Sequence, residues 1–513
     1  MSNSHPEEGS TFPLILCSVI ALFGVLLYVQ SVKFGFVYDD YLQIIHNTQV
    51  TEPSRSLLGL LSEPTPPGNL YRPLATLSYL LTERGFGLSP FAFHLTNILI
   101  YGMVCFCVLP FIWVVTRSQH AAVIGATLFV VLPIHTEAVA NVIGRAEMLS
   151  TLFILLAFFA SRRAACADRG FSITFFSLFG GMFYLAAILS KESSFPMIFP
   201  VILGCWLALD KKLPVTLRAI RIFTPFSVLF VCAAVGLWLR AMALGSNFII
   251  APDGTTWVEN PLFNEPFLAR ILPSLALLGR YLSLTFFPLG LSADYSSTPT
   301  YFYQWLASSG GVSSIGVLLL TAYILWRVKG TASMFLALWF LAGFSLTINL
   351  ITPIGTIMGD RLAFAPSVAA CGLFGLLINW ALQRLRPLTI LGTTAYLMLL
   401  AFLTVKRTPV WFSNETLFAQ TVIDAPYSPK AWYNLGVERV LKDPTSKEGE
   451  EYFRRSLELF PEYLLPTKAM ADIMLARKDY GRLEYWYRAV LALSPADTTV
   501  QENLLKLMQS KVS

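Results

Sequence analysis

Apolar residues in this chain gather into long unbroken runs, without the alternation of a half-buried strand or the narrow stripe of a surface helix. The runs cover residues 12–32, 93–115, 120–135, 147–161, 172–190, 194–209, 220–243, 311–327, 331–350, 362–382 and 388–405. A helix needs about 20 such residues to cross the hydrocarbon core of a bilayer. The pattern therefore predicts a polytopic all-α membrane protein with about eleven spans. Glu7 and Glu8 precede the first run, with no Lys or Arg. Its length suits a span better than a secretory leader, so it is expected to be retained.

Polar connectors give the spans a direction. Those holding Arg117, then Arg162, Arg163 and Arg169, then Lys211, Lys212, Arg218 and Arg221, then Arg327 and Lys329, then Arg384 and Arg386 are almost purely basic. The positive-inside rule makes them cytoplasmic. The alternate connectors, 33–92, 134–147, the Lys191–Glu192 corner, 244–310 and 351–361, are mixed in sign and face the exterior or lumen. One further apolar run, 267–289, would break this alternation if it crossed. Arg270, Pro273, Arg280 and Pro288 favour instead a re-entrant or interfacial pair of short helices.

From about Lys406 the pattern changes to mixed charge with helical periodicity, dividing the chain into a membrane domain, 1–405, and a soluble domain, 406–513, on the exterior side. Pro429, Pro461 and Pro495 recur at close to the ~34-residue tetratricopeptide interval. PKAWYNLG, followed by Tyr452, Phe453, Ser456 and Pro461, resembles that repeat. A small soluble α-solenoid of two to three repeats is expected, leaning on the membrane part or on a helix around residues 411–423. The plainer reading is a generic helical cap. A concave repeat face would hold an extended peptide or protein, with Trp432, Tyr433 and Asn434 as candidate contacts.

Composition agrees with a lipid environment: 55% of residues are hydrophobic and only 13% charged. The net charge of +6 comes with no basic stripe apart from apolar segments, so no nucleic-acid partner is expected. Seven scattered cysteines make no disulfide framework. Cys105 and Cys107, two apart, lie on nearly opposite helix faces and read as packing residues, with no metal expected.

Charge near lipid is costly, so its placement is informative. Nearly all of it gathers on the exterior side. FGFVYDDYLQII puts Asp39 and Asp40 close to the first span. Adjacent carboxylates can act as general base or as ligand, and they can equally be a solvated turn or helix cap. NLYRPLATLSY leaves Arg72 just outside a helix begun by Pro73, placed to hold phosphate or to anchor a lipid headgroup. His94 and Asn97 follow, and either could satisfy a buried neighbour.

LPIHTEAVANVIGRAEML contains His135, Glu137, Asn141, Arg145 and Glu147. If helical, Glu137, Asn141 and Arg145 form one polar stripe, for catalysis or for an internal salt-bridge network. Lys191, Glu192, Arg280, Asp294, Asp360 and Arg361 complete the set. The chain has no phosphate loop, zinc-protease helix, nucleophile elbow or dinucleotide fingerprint. External acids and cations above lipid-embedded helices suit a lipid-borne phosphorylated substrate meeting an external acceptor. A transporter would place charges at the bilayer midplane, in repeated halves, and a scaffold would need none.

FVYDD, YRPLATLSY with FHLTNILIY, LPIHTEAVANVIGRAEML, the KES corner, LSADYSS, GDRLAFAPS and the repeats stand in an order that resembles the transmembrane and tetratricopeptide-repeat O-mannosyltransferases. The resemblance covers nearly the whole chain. It implies a GT-C type fold and inverting transfer of a sugar, typically mannose, from a polyprenyl-phosphate donor to Ser or Thr hydroxyls of a secreted or membrane protein. It also implies Asp39 as the catalytic base with Asp40 supporting it. Arg72, Arg145, Lys191, Arg280 and Arg361 are then candidates for the donor phosphate, Arg145 and Arg361 foremost. His94, His135, Glu137, Asn141, Glu147, Glu192, Asp294 and Asp360 are expected to support the site. A single-phosphate donor implies no metal and no cofactor. Few repeats and a short chain depart from the animal members, so a bacterial inner-membrane relative is expected, facing the periplasm, or the ER lumen if eukaryotic.

Overall fold

A computed structural model describes residues 14–510 except 53–55, 57, 67–69, 211, 246–257 and 329. Glu7, Glu8, the start of the first run at Phe12, and Lys211 and Lys329 of the basic connectors therefore lie outside the described residues. The described chain is helical, and its one β-type pairing is an isolated bridge between Thr65 and Leu70. All seven cysteines are unpaired.

Nine of the described helices are long and apolar enough to cross a membrane, or ten if one bent pair counts as a span. The expected number was about eleven, and the difference has local causes. The run at 120–135 forms Gln119–Val131 and Pro133–Ala140, bent by 50°. Leu132 before Pro133 is extended, at φ −68° and ψ 119°, because the proline ring crowds the α conformation of its predecessor. The runs at 194–209 and 331–350 give the shorter apolar helices Glu192–Ala208 and Thr331–Phe344. Five residues beyond the end of the latter, Asn349 turns left-handed (φ 61°), and its side chain accepts from the Ile354 N–H and donates to the Thr356 and Ile357 carbonyls.

Close helix packing explains the centre. Gln119–Val131 and Phe364–Leu382 meet at Gly125 and Gly375, where a β-carbon would overlap the Cys371 and Ala121 carbonyls. Small residues of this kind let backbones approach where lipid gives no hydrophobic drive. Outer helices instead expose apolar side chains, as Leu388, Leu391, Met398 and Phe402 do on Arg386–Arg407. Arg221 pairs with Asp168 at 3.0 Å, joining two basic connectors at one end of the bundle.

The mixed-sign connectors converge at the other end. Asp40 reaches Ile143, Arg72 reaches Glu192, Glu137 reaches Arg361, and Asn260 reaches Asn349. The run 267–289 shares that end on both sides. It forms one helix, Phe267–Phe286, where a pair of short helices was expected. Pro273 sits in its second turn, where the missing N–H frees only the carbonyl of Ala269 in the first. Before this helix the Val258 carbonyl accepts from Ser297 N–H after it (3.1 Å). Both flanks also touch one C-terminal helix, Glu259 through Lys430 and Asp294 through Ser428. Both flanks of the helix therefore lie at one end of the bundle.

After the last apolar helix, a 3-10 turn, Thr408–Phe412, leads to helices Asn414–Asp424, Pro429–Lys442, Lys447–Leu459, Leu464–Ala476, Tyr480–Leu493 and Thr498–Ser510. Ser413, Ser428, Ser446 and Asp479 cap four of them, each side chain accepting a backbone N–H of the first turn. Phe453, Met470, Met474, Leu483 and Tyr487 form the core of the later helices. The earlier part packs instead on the membrane unit: Trp411, Leu417 and Phe418 share a buried cluster with Phe34, Val37 and Ala140.

Candidate active site

The expected polar stripe does not form. Thr136–Ala140 is a single short helix, Asn141 is extended (φ −83°, ψ 127°), and a 3-10 turn over Val142–Gly144 precedes the helix that starts at Arg145. Gly144 is required there because a β-carbon would overlap the backbone of Ala138. The turn separates Glu137 from Arg145 and sends them to different partners.

Arg145 is fully buried. Its Nε donates to Asn97 Oδ1 (2.7 Å), Nη1 to the Ser78 carbonyl (3.1 Å) and Thr82 Oγ1 (3.0 Å), and Nη2 to the Phe93 carbonyl (2.9 Å). Its guanidinium also lies over the Tyr79 and Phe93 rings. With four of its five N–H groups given to protein acceptors, it is a bolt between helices, which argues against the expectation that it holds a donor phosphate. Asn97 is the other half of the bolt, donating to carbonyls of Asn141 and Val142.

Three other cations of the set are ion-paired. Arg72 grips Glu192 through Nε (3.0 Å) and Nη2 (2.6 Å), a bidentate pair. Lys191 is buried against Glu147. Arg361 donates Nη1 to Glu137 Oε1 (2.6 Å) and its backbone N–H to Oε2 (2.8 Å). Glu137 is buried, whereas a quarter of the Arg361 side chain is exposed. Three cations and three carboxylates thus form a balanced layer. Glu147, Ser150, Thr151, Ser193, Ser194 and Thr347 line one side of a small cavity whose other walls are mostly apolar, among them Ile154, Trp339 and Leu362.

Two charged groups of the expected set stand apart. Among the described residues, neither the Asp39 carboxylate nor the Arg280 guanidinium has a hydrogen bond or ion pair. Arg280 lies between the Tyr295 and Trp305 rings, 5.3 and 5.0 Å from their centroids. Asp39 is half-buried, within electrostatic reach of Arg361 and Lys430. Its neighbour is different in kind. Asp40 is fully buried, its Oδ2 accepting from Val37 N–H and its Oδ1 from Ile143 N–H, both at 3.0 Å. Burial pushes its carboxyl from the ordinary 3.8 up to about 7; the backbone donors oppose this and the Asp39 charge adds to it.

The remaining expected residues frame the site. His94 contacts the Gly35 carbonyl through Nε2 (3.2 Å), behind the Asp39 loop. His135 is buried among Phe129, Phe364 and Tyr101, its Nε2 2.8 Å from Ser367 Oγ. Asn141 is buried with both amide atoms unpartnered. Asp360 accepts from Tyr295 O–H (2.6 Å) and faces Arg407 at 3.8 Å, and Arg407 also pairs with Asp424. Asp294 accepts from Ser296 and Ser428 hydroxyls. Trp432 donates Nε1 to the Pro426 carbonyl and packs on Tyr452, and Tyr433 packs on Phe453 and Tyr463. Both contribute to packing among the C-terminal helices, and Asn434 is half-buried.

Residues that motif reading passed over also border the site. Lys430 donates to Glu259 (3.3 Å) and sits 5.5 Å from the Tyr38 ring centroid. Asn414 accepts from Tyr38 N–H (2.7 Å). Arg407 and Lys430 were legible only as charges beside an apolar run and inside PKAWYNLG.

No family model matches the chain. The human protein O-mannosyl-transferase TMTC1 is 28% identical to it over 507 residues, covering 88% of this chain and 56% of that protein. Mouse TMTC3, also a protein O-mannosyl-transferase, is 26% identical, covering 91% and 52%. Drosophila melanogaster Tmtc1, of the same description, is 25% identical, covering 82% and 58%. The chain thus spans about half the length of the curated relatives it matches, and the resemblance read from its motifs is borne out. Among solved structures, the Archaeoglobus fulgidus oligosaccharyltransferase tethered with an acceptor peptide is similar over 87% of this chain and 59% of that one, at 14% identity and a TM-score of 0.39. The oligosaccharyltransferase AglB of that organism, in complex with an inhibitory peptide and a dolichol-phosphate, covers 87% and 60% at 16% identity and a TM-score of 0.39.

Proposed function

We propose that this chain, a relative of protein O-mannosyl-transferases, is an integral membrane glycosyltransferase that moves a sugar, mannose by the relationship, from a polyprenyl-phosphate donor to a Ser or Thr hydroxyl of a protein acceptor. Asp39 is the general base. It takes the acceptor hydroxyl's proton as that oxygen attacks the anomeric carbon from the face opposite the phosphate, inverting it. The bond from the anomeric carbon to the phosphate oxygen breaks, and the lipid phosphate leaves with the electron pair. One observation carries the assignment: Asp39 is a half-buried carboxylate without a bonded partner among the described residues, while adjacent Asp40 is spent on two backbone N–H groups.

The leaving phosphate gains negative charge and needs fixed cations. Arg280 takes first place in this role because no carboxylate among the described residues is ion-paired with it, Asp360 acting on it only through space, with Arg361 and Arg72 contributing the donors that their glutamates leave unused. Arg145 is withdrawn from the set. Lys191, buried against Glu147, sets the charge of the layer. The reaction uses no metal. The C-terminal helices, read as tetratricopeptide repeats, hold the protein acceptor on the exterior or lumenal side, which Asp39 shares with them.

The test is transfer by purified full-length protein from dolichyl-phosphate mannose to a Ser/Thr peptide or protein, with chelator present. Wild type should transfer, and Asp39→Asn should lose on the order of 10²-fold or more in kcat, the usual contribution of a general base. Equal rates in the two proteins would remove Asp39 from the role. No transfer by wild type from any lipid-linked sugar would favour a non-catalytic scaffold.

A further inference from the structure

Immediately before Asp39, Tyr38 has a φ of +53°. That left-handed conformation is costly for a residue with a β-carbon and persists only where its surroundings enforce it. Besides the local turn in which Asp40 bonds back to Val37, the groups that hold it come from the far end of the chain. Asn414 Oδ1 accepts the Tyr38 N–H at 2.7 Å. The Phe418 ring meets the Tyr38 ring edge-on at 5.6 Å, and the Lys430 ammonium lies 5.5 Å from its centroid. Three residues earlier, Gly35 N–H donates to the Phe412 carbonyl (3.1 Å). The stretch 412–430, which joins the last apolar helix to the C-terminal helices, thus grips the loop that presents Asp39.

Asn414 is itself oriented. Its Nδ2 donates to Glu438 Oε1 at 3.0 Å. A carboxylate can only accept, so the amide nitrogen must face Glu438 and the amide oxygen must face Tyr38. Glu438 lies on Pro429–Lys442, the helix that also carries Lys430, Trp432 and Tyr433. One short relay therefore runs from this helix through Asn414 to the backbone of Tyr38 and on to the next residue, Asp39.

We infer that Asn414, aimed by Glu438, is a positioning residue for Asp39, so that the arm proposed to hold the acceptor also sets the geometry of the base. The inference rests on the proposed function. Among the described residues the Asp39 carboxylate has no hydrogen bond to fix it, so its direction is that of its backbone, and the backbone's unusual turn depends on the Tyr38 N–H keeping its acceptor. Without Asn414, Tyr38 relaxes toward negative φ and the carboxylate swings away from the acceptor hydroxyl. Misplacement of a reacting group by about 1 Å costs on the order of 10²-fold in rate.

The experiment uses full-length protein with dolichyl-phosphate mannose and a Ser/Thr peptide, comparing wild type, Asp39→Asn, Asn414→Ala and the double variant Asn414→Asp with Glu438→Gln. In the double variant the carboxylate still accepts from Tyr38 N–H, and the introduced glutamine amide donates to its other oxygen. Asn414→Ala should lower kcat about tenfold or more, leave both KM values within about twofold and keep the melting temperature in detergent. The double variant should recover most of the loss. Wild-type kcat in Asn414→Ala, a rate loss matched by a fall in melting temperature, or failure of the double variant to recover each overturns the positioning role while leaving the proposed function standing. Absence of transfer by wild type, or equal transfer by Asp39→Asn, overturns the proposed function and the inference with it.

Discussion

At Asp40, burial against the 142–144 turn lifts the carboxyl from 3.8 to about 7, and this has a consequence for stability. The folded state holds the proton more tightly than the unfolded one, so the contribution is fully present below about pH 4 and is lost as pH rises through about 7. The melting temperature in detergent should therefore be lower at pH 8 than at pH 5. Asp40→Asn should be less stable overall, because one of the Val37 and Ile143 N–H groups loses its acceptor, but it should lack this slope. An unchanged slope in the variant would assign the dependence elsewhere. Arg145 and Arg280 separate two uses of the same side chain. Arg145→Met leaves Asn97 Oδ1 without its donor and removes the bonds to Ser78, Thr82 and Phe93, and should cost about 1 to 3 kcal/mol of stability or more. Arg280→Gln breaks no protein ion pair and should leave the melting temperature alone while raising the donor KM roughly tenfold, the scale of one charge-assisted phosphate contact. The reverse pattern in either variant would undo its assignment.

Among the elements, Phe267–Phe286 is the one whose length and contacts point to different topologies. Its 20 residues suffice to cross a bilayer, yet Val258 and Ser297 on its two sides are hydrogen-bonded to each other. Asn264 and Thr300 are exposed on either side of the helix. Asn264→Cys and Thr300→Cys should both react, above the wild-type background, with a membrane-impermeant maleimide applied from the same side. Labelling from opposite sides would make the segment a span. Run length could not decide this, because it measures how far an apolar helix reaches and carries no information about where the chain goes next. Charge alternation favours re-entry: counting the helix as a crossing would put the basic connectors after it outside. The polar stripe over 137–145 failed for a related reason. The i, i+4, i+8 spacing assumes an unbroken helix, and the Asn141–Gly144 turn removes that premise.

On the scale of the whole molecule, the division at 405/406 is not where the contacts divide. Residues 408–430 pack on the Asp39 loop, and the helices after Leu464 pack mostly on one another. Deletion from 406 should therefore abolish both sugar transfer to protein and donor hydrolysis. Deletion from 464 should weaken transfer to a protein acceptor while sparing donor hydrolysis, and equal loss of both would deny the later helices a part in acceptor binding. The amino-acid sequence by itself determined the helical membrane class, the basic connectors, the helical C-terminal unit and the charged residues worth examining. Each of these is written locally, in run length, charge bias or motif spacing. Only the tertiary structure decided which charges are spent and which are open, because the pairings join distant segments: Arg72 with Glu192, 120 residues on, Arg361 with Glu137, 224 apart, and Tyr38 with Asn414, 376 apart. No local pattern encodes such a partner, since hydrogen-bond geometry is fixed by where the backbones meet.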